Sequence, residues 1–256
     1  MSKSSALVAV SAALVLAGCG SGDRPATASG TVTGDVTVFA AASLTETFTR
    51  LGDDFEAAHP GTRVRFNFGG SSALAQQLGQ GAPADVFASA APANMKQVTD
   101  TKTITDAPRT FARNRLAIAV PKGNPGRIGG LADFGDAGRK IALCAEQVPC
   151  GAASRKVFEL AGVTPRPDTL EQDVKAVLTK VSLGEVDGAL VYRTDVKAAG
   201  GKVESVEFSE SAQAVNDYPI APLAKARNAV AAKAFVDFVL SGEGRAVLGA
   251  AGFDVP

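Results

Sequence analysis

"DVTVFAAASLTETFTRLGDDF", residues 35–55, changes its hydrophobic period halfway along. Val36, Val38 and Phe39 read as a buried strand. From Leu44 onward the apolar residues are Leu44, Phe48, Leu51 and Phe55, the i, i+4, i+7, i+11 spacing of one helix face. Between the two lie three alanines and Ser43, small enough for strand and helix to meet closely. A strand that turns directly into a helix is the first half of a βαβ unit, and the chain goes on repeating it.

Working outward, "HPG" (59–61) is a sound helix terminator, and "RVRFNFG" (63–69) alternates with period two. "SSALAQQLGQG" (71–81) predicts a short helix that a serine could cap, followed by a strand at "ADVFASA" (84–90) and a helix at "PANMKQVTD" (92–100). "RLAIAV" (115–120) is strand-like, and "PKGNPGRIGGLADFGDAG" (121–138) is a turn-rich connection. A strand "KIALC" (140–144) then precedes a helix "GAASRKVFELAG" (151–162). "TLEQDVKAVLTKVSLGEV" (169–186) reads as one helix with Val174, Val177, Leu178 and Val181 on one side, feeding the strand "GALVY" (188–192). The segment 226–253 reads as two helical pieces broken at "SGEG". The alternation predicts an α/β fold of mostly parallel sheet flanked by helices, and the length and turn-rich middle predict two lobes. Roughly four to six strands in each lobe fit this pattern.

Composition narrows the function classes. The 26 basic and 26 acidic residues balance, so no basic face for nucleic acid is evident. One histidine and three cysteines leave little material for a histidine-dependent enzyme or a zinc site. Residues 1–18 carry Lys3 and an apolar run from Ala6 to Ala17, too short to span a bilayer and suited to a signal peptide. The run ends in Leu16-Ala17-Gly18-Cys19, which resembles the lipobox of bacterial lipoproteins, where the cysteine is lipidated and becomes the new N-terminus. The alternative is an ordinary secretory signal with a chance cysteine. Residues 19–34, rich in Gly, Ser, Pro and Thr, read as a flexible tether. Outside the cytoplasm Cys144 and Cys150 are free to form a disulfide; no further Cys or suitably spaced His supports a metal at that pair.

In open α/β sheets, ligands bind beyond the carboxyl ends of the strands, where helix starts aim free N–H groups. Five places have that character: Ser43 after the first strand, Ser71 and Ser72 after "FNFGG", Cys150 at the helix start after "AEQVP", Val174 at the start of "VKAVL", and Tyr192 at the end of "GALVY". Each also has an ordinary explanation. The serines could be N-caps, Val174 a core residue, and Tyr192 a packed ring whose hydroxyl reaches water.

Together the strings "FAAASLTETF", "GGSSALAQQLGQGAPADVFASA", "EQVPCGAASRKVFE", "EQDVKAVL" and "GALVYRTDV", in this order, resemble the molybdate-binding proteins of bacterial ABC transporters, a branch of the type II periplasmic binding proteins. The resemblance runs from Val36 to Phe253 and rests most on "AASL" and "GAPADVFASA". It implies two lobes closing over one tetrahedral oxyanion: residues 35–112 with 219–256 as the first lobe and 113–218 as the second. Carried over by motif, the ligand set is the hydroxyls of Ser43, Ser71 and Tyr192 and the backbone N–H groups of Cys150 and Val174, with Ser72 a possible addition. Cys150 stands where alanine is common, and Arg193 and Thr194 follow Tyr192 where small residues are usual.

The resemblance further implies a molybdate or tungstate receptor that hands its ligand to an ABC permease in the membrane. It would be anchored through Cys19, need no cofactor, hold molybdenum only within the oxyanion, and act as a monomer. The chemistry is consistent on its own terms. A fully deprotonated dianion has only acceptor oxygens and is best held by donors alone, each contributing roughly 1.5–3 kcal/mol. Singly protonated phosphate would present a donor to a site without an acceptor. Asp173, next to Val174, fits this only if its carboxylate faces away and supports a helix end. The rivals are a receptor for sulfate or another tetrahedral oxyanion, a ligand-free surface lipoprotein, and a serine hydrolase. The last lacks a base, because the one histidine, His59, lies in the helix-terminating "HPG" and neither serine sits in a GxSxG elbow.

Overall fold

In the computed structural model, which describes residues 31–104 and 106–256, strand and helix alternate from Gly34 onward. The expected leader, tether and lipidated Cys19 fall, up to residue 30, outside the described residues. The elements run β1 Gly34–Ala41, α1 Thr45–Ala58, β2 Thr62–Gly69, α2 Ser71–Gly79, β3 Val86–Ala88, α3 Pro92–Asp100 and β4 Arg109–Asn114. There follow β5 Leu116–Pro121, β6 Ile141–Cys144, α4 Pro149–Ala161, β7 Thr169–Glu171, α5 Val174–Ser182, β8 Gly188–Tyr192, α6 Arg193–Ala198 and β9 Val203–Val206. The chain closes with β10 Asn216–Pro222, α7 Ala229–Leu240 and α8 Gly242–Ala251. Among the described residues the strands form two five-stranded sheets, in the orders β2-β1-β3-β10-β4 and β7-β6-β8-β5-β9.

The first sheet is buried on both faces, and the period-two rule sorts its residues. Val36, Val38, Ala40, Val86, Ala88, Tyr218 and Ile220 join α1, α7 and α8 through Phe48, Phe55, Phe235 and Leu248. Phe39, Phe87 and Ala221 point the other way, onto Leu74 and Leu78 of α2 and Met95 and Val98 of α3. The helices lie on opposite faces because β2 and β3 flank β1 on opposite sides, so the two crossovers run in opposite directions. Phe48 is fully buried and meets Phe66, Phe111 and Phe235 at centroid distances of 5.5–6.2 Å. Truncating such a ring costs about 3–5 kcal/mol. In the second sheet, Ile118, Ile141, Leu190 and Val191 pack with Val157 and Phe158 of α4 and Val177 and Val181 of α5.

The sheet type is as expected and two other expectations need correction. Each sheet is mostly parallel with one reversed strand: β10 runs antiparallel to β3 and β4, and β5 antiparallel to β8 and β9. These antiparallel strands are those beside the points where the chain passes between the sheets. The helix expected over 169–186 starts only at Val174, because Asp173 caps it and residues 169–171 pair in parallel with β6. The segments forming β4, β9 and β10 lie outside the strands expected from hydrophobic period. The expected lobe boundaries at 112/113 and 218/219 fall inside β4 and β10, which pair as far as Asn114↔Asn216.

Candidate functional site

Strand register brings the five sequence positions together. β1 and β2 end level, Ala41 opposite Gly69, so Ser43 and Ser71 each emerge two residues beyond the same sheet edge. β3 aligns Ala88 with Ala40 and delivers Ala90 to that edge. In the second sheet β6 and β7 end level at Cys144 and Glu171, and Ala142 aligns with Ala189 of β8. Cys150, Val174 and Tyr192 therefore leave one edge as well. The two edges face each other across a small, narrow space lined by Ala42, Ser43, Gly70, Ser71, Ala90, Val148, Cys150, Asp173, Val174 and Tyr192, among others. Ser72 is buried one residue further along α2 and does not line it. The space measures about 10 Å³, near the ~10–15 Å³ that a single water needs, so a multi-atom ligand enters only if the walls part.

Neither serine is a helix cap. Ser43 lies in a short 3-10 turn, Ala42–Leu44, with no side-chain cap bond. Ser71 is the first residue of α2, whose N-cap is Gly70. The Ser71 hydroxyl oxygen instead accepts the Ala90 N–H at 3.0 Å. Asn216 in turn donates to the Ala90 carbonyl at 2.9 Å, which holds the following peptide. The Ser43 hydroxyl lies 2.9 Å from the Tyr218 hydroxyl, a buried contact across 175 residues of sequence.

Opposite them, Cys150 and Val174 sit in the first turns of α4 and α5, where N–H groups have no intrahelical acceptor. Asp173 is the α5 N-cap; its Oδ1 accepts from the N–H groups of Lys175 and Ala176 at 2.8 and 2.9 Å. The carboxylate thus supports the helix end, and Val174 N–H is left outside its reach. Cys150 is joined to Cys144 by a disulfide, which ties the start of α4 back to the end of β6 and removes both sulfurs as metal ligands. The Tyr192 ring is fully buried, and its hydroxyl has no hydrogen-bond partner among the described residues.

Apart from Asp173, whose carboxylate is turned to the start of α5, the charges near the site lie behind the cavity wall. Asp195, fully buried on α6, accepts the Tyr192 N–H at 3.1 Å. Its Oδ1 lies 3.1 Å from Lys175 Nζ, close enough for an ion pair but not aligned as a hydrogen bond. Burial pushes the Asp195 carboxyl up to about 6, against the pull of Lys175. Burial opposes the charge on Lys175, yet Asp195 and Glu46 together outweigh it and raise its pKa. The Lys175 ammonium reaches Glu46 of α1 at 2.8 Å, linking a helix of each sheet. Burial, and for Tyr192 the nearby Tyr218 and Asp195 as well, raises both phenols, so Tyr192 and Tyr218 remain neutral donors through the neutral range.

Reasoning from sequence misses Tyr218, Ala90, Asn216, Asp195 and Lys175. One signal is available for Tyr218. The chain has two tyrosines and no tryptophan, and a buried tyrosine hydroxyl calls for a polar partner. The two rings meet at 6.0 Å. Larger clefts exist elsewhere. One of about 530 Å³ lies between α1, α6 and α8 beside Ser43, and one of about 620 Å³ lies along α4. Neither gathers donors in this way. Among the described residues no group of three or more His, Cys, Asp or Glu could hold a metal ion. A narrow space bordered by hydroxyl-bearing residues and helix-start N–H groups, with no Lys or Arg in its lining and the Asp173 carboxylate turned to α5, suits a small anion.

Fold and site define a receptor built to enclose a small solute, and the chain belongs to the bacterial extracellular solute-binding protein family, whose profile matches residues 36–254. It is 41% identical over 251 residues to the molybdate-binding protein ModA of Mycobacterium tuberculosis, covering 96% of each chain. Among solved structures it is similar to the periplasmic molybdate-binding protein of Azotobacter vinelandii, with a TM-score of 0.76 and 20% identity over 86% of this chain and 99% of that one. The sulfate-binding protein SubI of M. tuberculosis has a TM-score of 0.74 and 16% identity, covering 86% of each chain. At such identities the likeness is one of fold alone, and the fold serves receptors for more than one tetrahedral oxyanion.

Proposed function

We propose that this chain captures molybdate, and tungstate with it, outside the cytoplasm for delivery to an ABC importer, tethered to the membrane through lipidated Cys19. The observation that carries the reading is the donor set. The hydroxyls of Ser43, Ser71 and Tyr192 converge with the helix-start N–H groups of Cys150 and Val174, and no cationic side chain lines the space. The name of the M. tuberculosis relative, at 41% identity, supports the choice of ligand. Neutral donors and peptide dipoles hold a dianion without a fixed counter-charge. Sulfate shares the charge and the acceptor-only oxygens, so its exclusion depends on size.

Capture requires movement, because the space as it stands does not admit four oxygens around a centre. The chain passes between the sheets twice, at Arg115 between β4 and β5 and through 207–215 between β9 and β10. We take these two crossings as the hinge. The sheet carrying β1–β4 and β10 forms one lobe with α1–α3, α7 and α8, and the sheet carrying β5–β9 forms the other. The permease then reads the closed form.

The test is thermal unfolding of the full chain alone and with molybdate, tungstate, sulfate or phosphate at matched concentrations. Ligand at 100 times its dissociation constant adds about 2.7 kcal/mol, roughly 5–10 °C for a chain of this size. The expected result is a shift with molybdate and tungstate only. A shift with sulfate alone, or with none of the four, overturns the reading.

A further inference from the structure

A hydroxyl can donate one proton and accept two, so a serine is a donor towards a ligand only if something settles where its proton goes. At Ser71 the backbone does so. The Ala90 N–H occupies one of the two acceptor positions on the oxygen, which leaves the serine proton free to point into the cavity. At Ser43 the side chain in that role, among the described residues, is Tyr218.

The direction of the Ser43–Tyr218 bond follows from counting protons. Tyr218 is fully buried in β10 beneath Tyr192, Phe111 and Phe253, and Ser43 is the partner its hydroxyl meets among the described residues. The nearest amide, that of Asn114, is engaged: Nδ2 donates to Thr194 Oγ1 at 2.8 Å, and Oδ1 accepts the Arg115 N–H at 3.0 Å. If Ser43 donated to Tyr218, the phenol proton would have to turn to Asn114 or Tyr192, neither of which makes an aligned hydrogen bond with it among the described residues. If Tyr218 donates, its own proton is placed, and the Ser43 proton turns towards the space it lines. Burial also raises the phenol well above its usual range, so this proton is present at every working pH.

We propose that Tyr218 is a positioning and specificity-determining residue for oxyanion capture: by donating to Ser43 it fills one of that oxygen's two acceptor positions, turns the serine proton towards the ligand and so disfavours acceptance from a protonated ligand. The inference rests on the reading of the cavity as an oxyanion site and says how the site rejects anions that carry a proton. Ser71 is held in the same sense by a peptide N–H that no side-chain substitution removes. Tyr218 is therefore the place where the donor-only character can be switched off. Without its hydroxyl, Ser43 can rotate its proton away and accept an O–H from the ligand.

The experiment is calorimetric titration of wild type, Tyr218→Phe, Ser43→Ala and the double variant, all as full chains. The probes are molybdate, and inorganic phosphate at mildly alkaline pH, where it is a dianion with one O–H. Tyr218→Phe is expected to weaken molybdate about 3- to 10-fold while leaving phosphate unchanged or tighter, so that the ratio of the two affinities falls by about tenfold. In the Ser43→Ala background, adding Tyr218→Phe is expected to change molybdate affinity by less than about twofold, because the hydrogen bond it removes is already gone. A parallel loss for both anions, or an equal loss with and without Ser43, reduces Tyr218 to a packing residue and overturns the inference. If Tyr218→Phe does not fold, Ser43→Ala still decides. It should go on rejecting phosphate, since the methyl group in place of the Ser43 hydroxyl offers the ligand O–H no acceptor, and phosphate bound as tightly as molybdate would contradict the proposal. A wild-type chain that binds none of the oxyanions removes the functional reading itself, whereas a wild type that binds molybdate with unchanged ratios in the variants removes only the role of Tyr218.

Discussion

Among the described residues the buried Tyr192 hydroxyl has no aligned hydrogen-bond partner. Such a group destabilises the protein by itself and is retained when a ligand supplies the missing acceptor. Tyr192→Phe should therefore act in opposite directions. Molybdate affinity falls by about 1–3 kcal/mol in calorimetry, while the unliganded chain melts at the same temperature or higher. Equal affinity in wild type and variant would remove Tyr192 from the ligand set. Asp195 gives a pH signature at the same scale. Its folded pKa of about 6 lies above the ordinary 3.8, so the folded state binds the proton more tightly than the unfolded one. The resulting stability is complete below about 4 and is lost as pH rises through about 6, an effect on the order of 3 kcal/mol. Asp195→Asn should flatten this fall. Denaturant unfolding at a series of pH values, with the difference between the two proteins plotted, shows whether that slope belongs to Asp195.

At the scale of elements, the sequence is informative wherever the period changes. The switch from two to 3.6 at Ala40–Leu44 locates a strand–helix junction, and with it Ser43 at a carboxyl edge. The same reasoning works for Ser71 and for Cys150. It fails at 169–186, where Leu170 and the valines continue an apolar rhythm that hides a break. The break is made by Asp173, and a side chain accepting two backbone N–H groups leaves no mark on hydrophobic period. It fails again at β9 and β10, short strands whose pairing is antiparallel and distant in sequence. For that reason Tyr218 is invisible as the partner of Ser43: nothing local joins residues 175 positions apart. The Cys144–Cys150 bridge belongs to this scale as well. It closes the loop that presents the Cys150 N–H, and on loop entropy it stabilises by about 2 kcal/mol. Replacing both cysteines with alanine should lower stability by that amount in denaturant. It should also weaken oxyanion binding, since the start of α4 is then held only by its own packing. Unchanged affinity would mean that α4 alone positions the N–H.

For the whole molecule, the question is what allows the two sheets to close so far. The edges approach closely at Gly70, where a Cβ would lie 2.3 Å from the Gln172 carbonyl oxygen. The backbone angles of Gly70, φ −60° and ψ 130°, are open to any residue, so its lack of a side chain matters for space and not for conformation. Around this contact the lobes are joined by charges at the rim. Lys175 meets Glu46 at 2.8 Å and Arg193 meets Asp254 at 2.7 Å, both with an exposed carboxylate partner and each contributing about 0–1 kcal/mol. Steric fit at Gly70 therefore outweighs the ion pairs in deciding whether the cleft shuts. Gly70→Ala should leave each lobe folded, with a melting temperature close to wild type in the absence of ligand, and should hold the lobes apart by the width of a methyl group. Small-angle scattering with saturating molybdate should then show the wild type contracting and the variant not, and calorimetry should find the variant at least tenfold weaker. A variant that contracts and binds like wild type would mean that closure does not pass through Gly70, and that the approach of the two edges is not what completes the site.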